Sequence, residues 1–293
     1  MFRICPAPAK LNLVLELTGR RRDGYHLLAA VSQTVGWHDL LGIELCDSGD
    51  SPRCSLWVAG PHAHEVPKDQ ENIVIRAVEL LRGAGRGYPI SRIVLDKRIP
   101  TQSGLGGGSA DAAAVLRVAS RDCPDPDLAA MALQCGADVP FALLGGAAQI
   151  SGVGEQLTPL PSLTQGVFLI TMLGEVSTRA AYSAVAAEDF SKGERAEAVA
   201  QALRQGKLPD PKLLGSSLLP AALRVTPGLA ERLGRLRAAT PELHWAMTGS
   251  GGAFFSLVAD RDQAQRAVAR LSTLYPTLPL RATTPEPEWQ ATV

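Results

Sequence analysis

The 293-residue chain has no excess of charge of either sign, since 29 lysines and arginines balance 29 aspartates and glutamates. That balance argues against a nucleic-acid groove or an acidic membrane surface as partner. Arg20-Arg21-Arg22 is the one tight basic cluster, too short for a nucleic-acid patch. Cysteine is scarce and unpatterned: there are five, at 5, 46, 54, 123 and 135, with no C-x-x-C spacing. An odd, scattered set excludes a disulfide framework and a zinc knuckle, and reduced thiols in a cytoplasmic protein are expected. His62 and His64 alternate as two ligands on a strand would, but no third ligand stands near them, so no metal is expected there. No apolar run approaches the roughly 18 residues of a membrane span, and a charged-then-apolar leader pattern is missing. No internal repeat is visible. The two best-known phosphate loops are absent as well. No Gly-Lys-Ser/Thr ending occurs after Lys97, and the third glycine of a G-x-G-x-x-G fingerprint beginning at Gly104 is replaced by Ser109.

What is present is a glycine loop of a third kind. Residues 100–111 read Pro-Thr-Gln-Ser-Gly-Leu-Gly-Gly-Gly-Ser-Ala-Asp, between a strand-like run at 93–95 and a helix-like run at 112–118. Four glycines in five residues let backbone N–H groups turn toward a ligand. A helix starting near Ser109 adds unpaired donors and the positive end of its dipole. The loop therefore suits an anion, most often phosphate, with a plain flexible connector as the alternative.

Chain length allows one large domain or two of ordinary size, and 46% hydrophobic residues supply ample core. Strand patterns dominate the first hundred residues, with helices expected at about 72–84, 108–120, 127–135 and 139–144. A Pro- and Thr-rich joint at 157–166 separates two units, 1–158 and 159–293. The second unit opens with a strand at 167–172 and ends with strands at about 243–248, 253–259 and 278–283. Loops are expected at 188–194 and 205–212, and a loose tail from Thr284. The fold class is α+β.

Several residues carry chemistry. Leu11, Leu13, Leu15 and Leu17 alternate as one face of a half-buried strand, which places Lys10, Asn12, Glu16 and Thr18 on the other. That polar face is either solvated or turned toward the glycine loop. Asp23-Gly24 makes a turn followed by Tyr25 and His26, an aromatic and an imidazole that could take a planar base or simply pack. Asp138, after Gly136-Ala137 and before Val139-Pro140, suits a helix N-cap and could also accept a proton. Thr248-Gly-Ser-Gly-Gly252 reads as a hairpin turn or as a second glycine loop over a ligand.

Together these pieces resemble the GHMP kinases. The resemblance rests on Pro-Ala-Lys-Leu-Asn at 8–12, the loop at 100–111 and Thr-Gly-Ser-Gly at 248–251. Asp-Gly-Tyr-His at 23–26, Gly-Ala-Asp-Val-Pro-Phe at 136–141 and Gly-Val-Gly-Glu at 152–155 narrow it to the branch acting on 4-diphosphocytidyl-2-C-methyl-D-erythritol in the non-mevalonate route to isoprenoid precursors. The resemblance implies an S5-like N-terminal α/β domain and a ferredoxin-like C-terminal one. The implied reaction moves the ATP γ-phosphoryl group to the substrate's 2-hydroxyl. Asp138 would be the general base, Lys10 its cationic partner, and Asn12 would fix the substrate. Tyr25 and Tyr182 would sandwich the cytosine, with His26 on its edge and Thr178 near the diphosphate. Pro100, Gly104, Leu105, Gly106, Gly107, Gly108 and Ser109 would wrap the ATP phosphates, with Asn72 and Lys97 near the adenine. Mg²⁺ is implied, with Ser109 as a ligand and Asp111 as another possible one. No protein partner is implied.

The chain departs from the family pattern at Gly215-Ser-Ser-Leu218, where an acidic residue is missing, and at Gly252-Ala253. A homoserine or mevalonate type of GHMP kinase is the nearest rival, and a non-catalytic nucleotide-binding regulator the more distant one. Tyr25, His26 and Tyr182 speak against the first, Lys10 and Asp138 against the second.

Overall fold

The alternating leucines lie in a 19-residue strand, Phe2–Arg20 (β1), within a computed structural model that describes residues 1–46, 53–67, 69–85, 89–120 and 128–286. The first half continues with β2 (His26–Leu45), β3 (Ser55–Ala59), α1 (Ile73–Gly83), β4 (Ile90–Asp96), α2 (Gly107–Ser120), α3 (Leu128–Cys135), α4 (Val139–Leu144), β5 (Ala147–Ser151) and β6 (Gln156–Leu160). The second half contains β7 (Val167–Met172), α5 (Thr178–Ser183), α6 (Glu194–Arg204), β8 (Gly215–Ser216), α7 (Leu219–Val225), α8 (Leu229–Ala239), β9 (Ala246–Met247), β10 (Ala253–Val258), α9 (Arg261–Leu274) and β11 (Leu280–Thr283).

The larger sheet runs β3-β4-β2-β1-β8, and β5 and β6 extend it from β2. Its β8 strand comes from the second half, so the halves share a sheet. The smaller sheet is antiparallel, in the order β11-β7-β10-β9. Helices α1 to α4 close one core over the large sheet through Val78, Leu81, Val115 and Met131, packed on Ile43, Ile93 and Leu95.

Strand β1 differs from its expected pattern in an instructive way. The register against β2 slips between Asn12 and Val14, leaving Leu13 as the extra residue of a β-bulge. A one-residue insertion reverses every later side chain. Leu11, Leu13 and Val14 therefore pack with Phe168, Phe255 and α6, while Leu15 and Leu17 join a different cluster around Leu169 and Trp245. Glu16 is moved off the Lys10–Asn12 face, contrary to simple alternation. Of the four polar residues Lys10, Asn12 and Glu16 are buried and only Thr18 is exposed.

Glu16 has its own task. The N-cap of helix α6 is Gly193, which has no side chain to cap it. Glu16 supplies the acceptors instead, taking Ala196 N–H at 2.8 Å, Ser191 Oγ–H at 2.8 Å and Arg195 Nε at 3.4 Å. Glu16→Ala should lower stability by about 2–4 kcal/mol, because three donors lose a buried acceptor. The shift in denaturant midpoint at unchanged slope measures it.

Three boundaries differ from the sequence expectation. The 157–166 joint begins inside β6, which contains position 158, because Pro159 is tolerated on a strand paired only to β5. Regular pairing near 243–248 is confined to Ala246–Met247. The tail is tied down at least to Glu286: Pro285 bridges Val35, Glu286 N–H donates to Thr34 O at 2.9 Å, and Gln33 Nε2 donates to Glu286 O at 2.7 Å. Residues 287–293 lie outside the described set, as does Cys123.

Candidate active site

A cavity of about 1310 Å³ opens between the two halves, with the β4–α2 loop along one wall. Gly104 and Gly106 have φ of +81° and +70°, in the left-handed region that favours glycine. Space excludes other residues too. A Cβ on Gly104 would lie 2.8 Å from Thr248 O, and one on Gly106 would lie 2.9 Å from Lys10 Cγ. The loop is thus threaded between β1 and the second glycine turn. Leu105 anchors it, with its side chain in the core and its carbonyl accepting Lys10 N–H at 2.8 Å. Pro100 O accepts Ser103 Oγ–H at 2.8 Å, which bends the loop's entry. Gly107 and Gly108 begin α2, whose first turn offers N–H donors without intrahelical partners. Gly108 and Ser109 line the cavity.

Lys10 and Asp138 meet at the floor of this cavity. Lys10 Nζ lies 3.4 Å from Asp138 Oδ2 and donates to Asn12 Oδ1 at 2.6 Å. The ammonium side chain is 8% exposed and the carboxylate 50%, so the carboxylate is the more open of the two to the cavity they line. Asp138 stands at the N-cap position of α4 but makes no capping hydrogen bond. The capping role expected from its sequence context is absent, and the carboxylate is left for the cavity. Asn12 is held in turn: its Nδ2 donates to Ser32 Oγ at 2.8 Å and its N–H to Thr248 Oγ1 at 2.8 Å. Thr248-Gly-Ser-Gly is both things the sequence allowed, a turn between β9 and β10 and a cavity wall.

The far end of the cavity is aromatic. Tyr25 is 65% exposed, while His26 sits 5.3 Å from the Tyr182 ring and stacks on Phe190 at 5.9 Å. Burial, then the Asp138 charge, pushes the Tyr182 hydroxyl up to about 12, so it stays a neutral donor. Burial and Arg20 lower His26 below the ordinary imidazole value, which favours its neutral form. Thr178 and Ser250 hydroxyls are 2.7 Å apart, joining α5 to the second glycine turn.

Asn72 and Lys97 also line the cavity, but their polar atoms are engaged within the chain. Asn72 Oδ1 caps α1 through Val74 N–H at 2.9 Å, and its Nδ2 donates to Pro67 O at 2.6 Å. Lys97 Nζ donates to Asp39 Oδ2 at 2.5 Å and Asp111 Oδ2 at 2.7 Å. Burial lowers the Lys97 ammonium, but Asp111 and Asp39 outweigh it and leave it above the ordinary lysine value. Glu65 accepts from Thr101 N–H at 3.0 Å, Thr101 Oγ–H at 2.7 Å and His62 Nδ1 at 2.7 Å. Those bonds overcome its burial and draw its carboxyl down to about 2. His62 therefore braces the loop entry. Among the described residues no group of three His, Cys, Asp or Glu could hold a metal. Asp39, Glu65 and Ser32 were not singled out from sequence, and Ser250 only as part of its glycine motif. Asp39 did leave a trace, as an acid within the apolar run Trp37–Leu41.

Residues 72–146 match the model of the GHMP kinases N terminal domain, and residues 186–277 the GHMP kinases C terminal model. A 4-diphosphocytidyl-2-C-methyl-D-erythritol kinase of Pelotomaculum thermopropionicum is 38% identical over 270 residues, covering 90% of this chain and 92% of that protein. One from Thermus thermophilus is 41% identical over 269 residues, covering 90% and 91%. The chain belongs to the 4-diphosphocytidyl-2-C-methyl-D-erythritol kinases, within the GHMP kinases. A crystal structure of a 4-(cytidine 5'-diphospho)-2C-methyl-D-erythritol kinase aligns with a TM-score of 0.77 at 40% identity, over 97% of this chain and 99% of that one. Homoserine kinase from Cytophaga hutchinsonii aligns at 0.72 with 19% identity, over 99% and 96%, and so shares the fold. The expected two-domain GHMP kinase fold is therefore present.

In this kinase the two departures from the family pattern are structural. Gly215–Ser216 pair in parallel with Val14–Leu15 of β1, and Ser217 N–H donates to Leu15 O at 2.8 Å. Gly252 O accepts Leu173 N–H at 3.0 Å, and Ala253 N–H donates to Ser103 O at 2.9 Å, tying the two glycine segments together. No helix among the described residues is long and apolar enough to cross a membrane.

Proposed function

We propose that the enzyme transfers the γ-phosphoryl group of ATP to the tertiary 2-hydroxyl of 4-diphosphocytidyl-2-C-methyl-D-erythritol. The products are ADP and the 2-phosphate, in the cytoplasmic non-mevalonate route to isoprenoid precursors. The observation that carries this reading is the Lys10–Asp138 pair, 3.4 Å apart, beside the glycine loop in one cavity. Unpaired thiols at Cys5, Cys46, Cys54 and Cys135 fit a reducing compartment.

Asp138 accepts the hydroxyl proton as the oxygen bonds to the γ-phosphorus and ADP departs. Lys10, held by Asn12, offsets charge on the transferring group. Such chemistry asks mainly for alignment and charge stabilisation from the protein. The backbone donors of Gly104 to Ser109 hold the phosphates, and Asn72 and Lys97 flank the adenine end. Tyr25 and Tyr182 take the cytosine, His26 its edge, and Thr178 with Ser250 the diphosphate.

Mg²⁺ fits this site as a cation carried on the nucleotide. Such ions take one or two protein oxygens and complete their shell with phosphate and water. Ser109, on the cavity side of the first turn of α2, would supply a protein oxygen. Asp111 gives its Oδ2 to Lys97, while its buried Oδ1 has no hydrogen-bond partner among the described residues. Bound there, the cation would neutralise phosphate charge.

Incubating the protein with ATP–Mg²⁺ and the cytidyl substrate should give a product one phosphate heavier, with a new phosphomonoester resonance. No transfer to this substrate under conditions of ATP binding would reject the reading. Tyr25→Ala should raise KM for the cytidyl substrate about tenfold, on the scale of roughly 1–3 kcal/mol for one base stacked on an aromatic ring. KM for ATP should stay within about twofold in the same steady-state assay. An unchanged substrate KM would favour an acceptor without a base.

A further inference from the structure

Behind the glycine loop lie three ionisable side chains, Asp39, Lys97 and Asp111, none more than 2% exposed. They come from β2, from the residue after β4 and from the second turn of α2. Lys97 precedes the loop and Asp111 follows it, so the Lys97–Asp111 bond at 2.7 Å closes the loop's two ends. Asp39 fixes the entry. Its Oδ1 accepts Arg98 N–H at 2.5 Å and Ile99 N–H at 2.8 Å, while Oδ2 takes the Lys97 ammonium at 2.5 Å. Lys97 and Asp111 line the cavity and Asp39 does not. Asp39 can therefore influence a bound nucleotide only through what it holds.

We propose that Asp39 is a positioning residue for ATP. It clamps Lys97 and the Arg98–Ile99 backbone so that the loop from Pro100 to Ser109 is already shaped around the phosphates. This rests on the ATP-dependent reading given above. A glycine-rich loop left free would lose much conformational entropy when it closes on a ligand. Clamping both ends removes part of that loss before binding. The same geometry gives Lys97 a structural part. Two of its three N–H groups are committed to carboxylates, so it acts on the nucleotide mainly by holding the loop.

Asp39→Asn is the decisive variant. Its amide oxygen can still accept from Arg98 and Ile99, but its NH₂ cannot accept the Lys97 ammonium. The expected result is about a tenfold rise in the calorimetric Kd for ATP, the scale of one lost hydrogen bond to a charged group. KM for ATP should follow, with kcat and KM for the cytidyl substrate changed less than about twofold. Lys97→Met should show the same selective loss, equal for ATP and GTP, and the double variant should be little worse than either single one. A direct adenine contact by Lys97 predicts instead a loss confined to ATP. Should Asp39→Asn not fold, Asp111→Leu removes the other end of the clamp and must give the same ATP-selective loss. Unchanged ATP affinity in folded Asp39→Asn, an equal fall in every constant, or fully additive losses would each overturn the proposal. If the wild-type protein binds ATP but phosphorylates no cytidyl substrate, the proposed reaction fails while the calorimetric comparison still decides the clamp.

Discussion

Asp138→Asn is expected to lose at least about a hundredfold in kcat, the usual scale for removing a positioned general base. Fold and ATP binding should survive. The Asp138 side chain is half exposed and makes no capping bond to α4, so the amide removes no structural contact except its pairing with Lys10. An exposed change of this kind falls within about 0.5 kcal/mol of wild type. Thermal melting and ATP calorimetry check the first two points, and single-turnover kinetics the third. Turnover within a few-fold of wild type would mean that the proton leaves by another route.

Lys10→Met is expected to be as damaging to kcat, again about a hundredfold or more, since a fixed cation is lost where charge moves. Methionine keeps the apolar stem that packs where a Gly106 side chain would otherwise stand. It leaves Asn12 Oδ1 without its 2.6 Å donor, which costs about 1–2 kcal/mol in a stability measurement. The informative comparison is the double variant. If Lys10 and Asp138 work as one unit, removing both should cost little more in kcat than removing either. Multiplied losses would show independent roles.

Both residues belong to short motifs readable along the chain, and the glycine loop with its following helix was equally legible. Local chemistry explains this. Glycine where φ is positive, proline near a helix start and alternation within a strand are written in neighbouring residues. Alternation misled at one point. The bulge at Leu13 is specified by pairing with Ser32 and Val31 of β2, and it alone sends Glu16 to α6 while Lys10 and Asn12 stay on the cavity. Asp138 read as a helix cap because its neighbours are those of a cap. Only the tertiary structure brings Lys10, 128 positions earlier, to within 3.4 Å of its carboxylate.

The remaining differences have the same origin. A proline-rich tail reads as loose, yet Thr34 and Gln33 hold it through backbone groups that no side-chain pattern announces. Asp39 is one acid in an apolar strand until Lys97, 58 residues later, is brought within 2.5 Å. By itself the sequence determined the α+β class, the glycine loop leading into a helix and the residue types that line the cavity, because each depends on local backbone preference and side-chain chemistry. The tertiary structure decided which of those groups meet, which are buried and which carboxylate remains free. Those outcomes depend on distances between segments far apart in the chain, and no local preference encodes them.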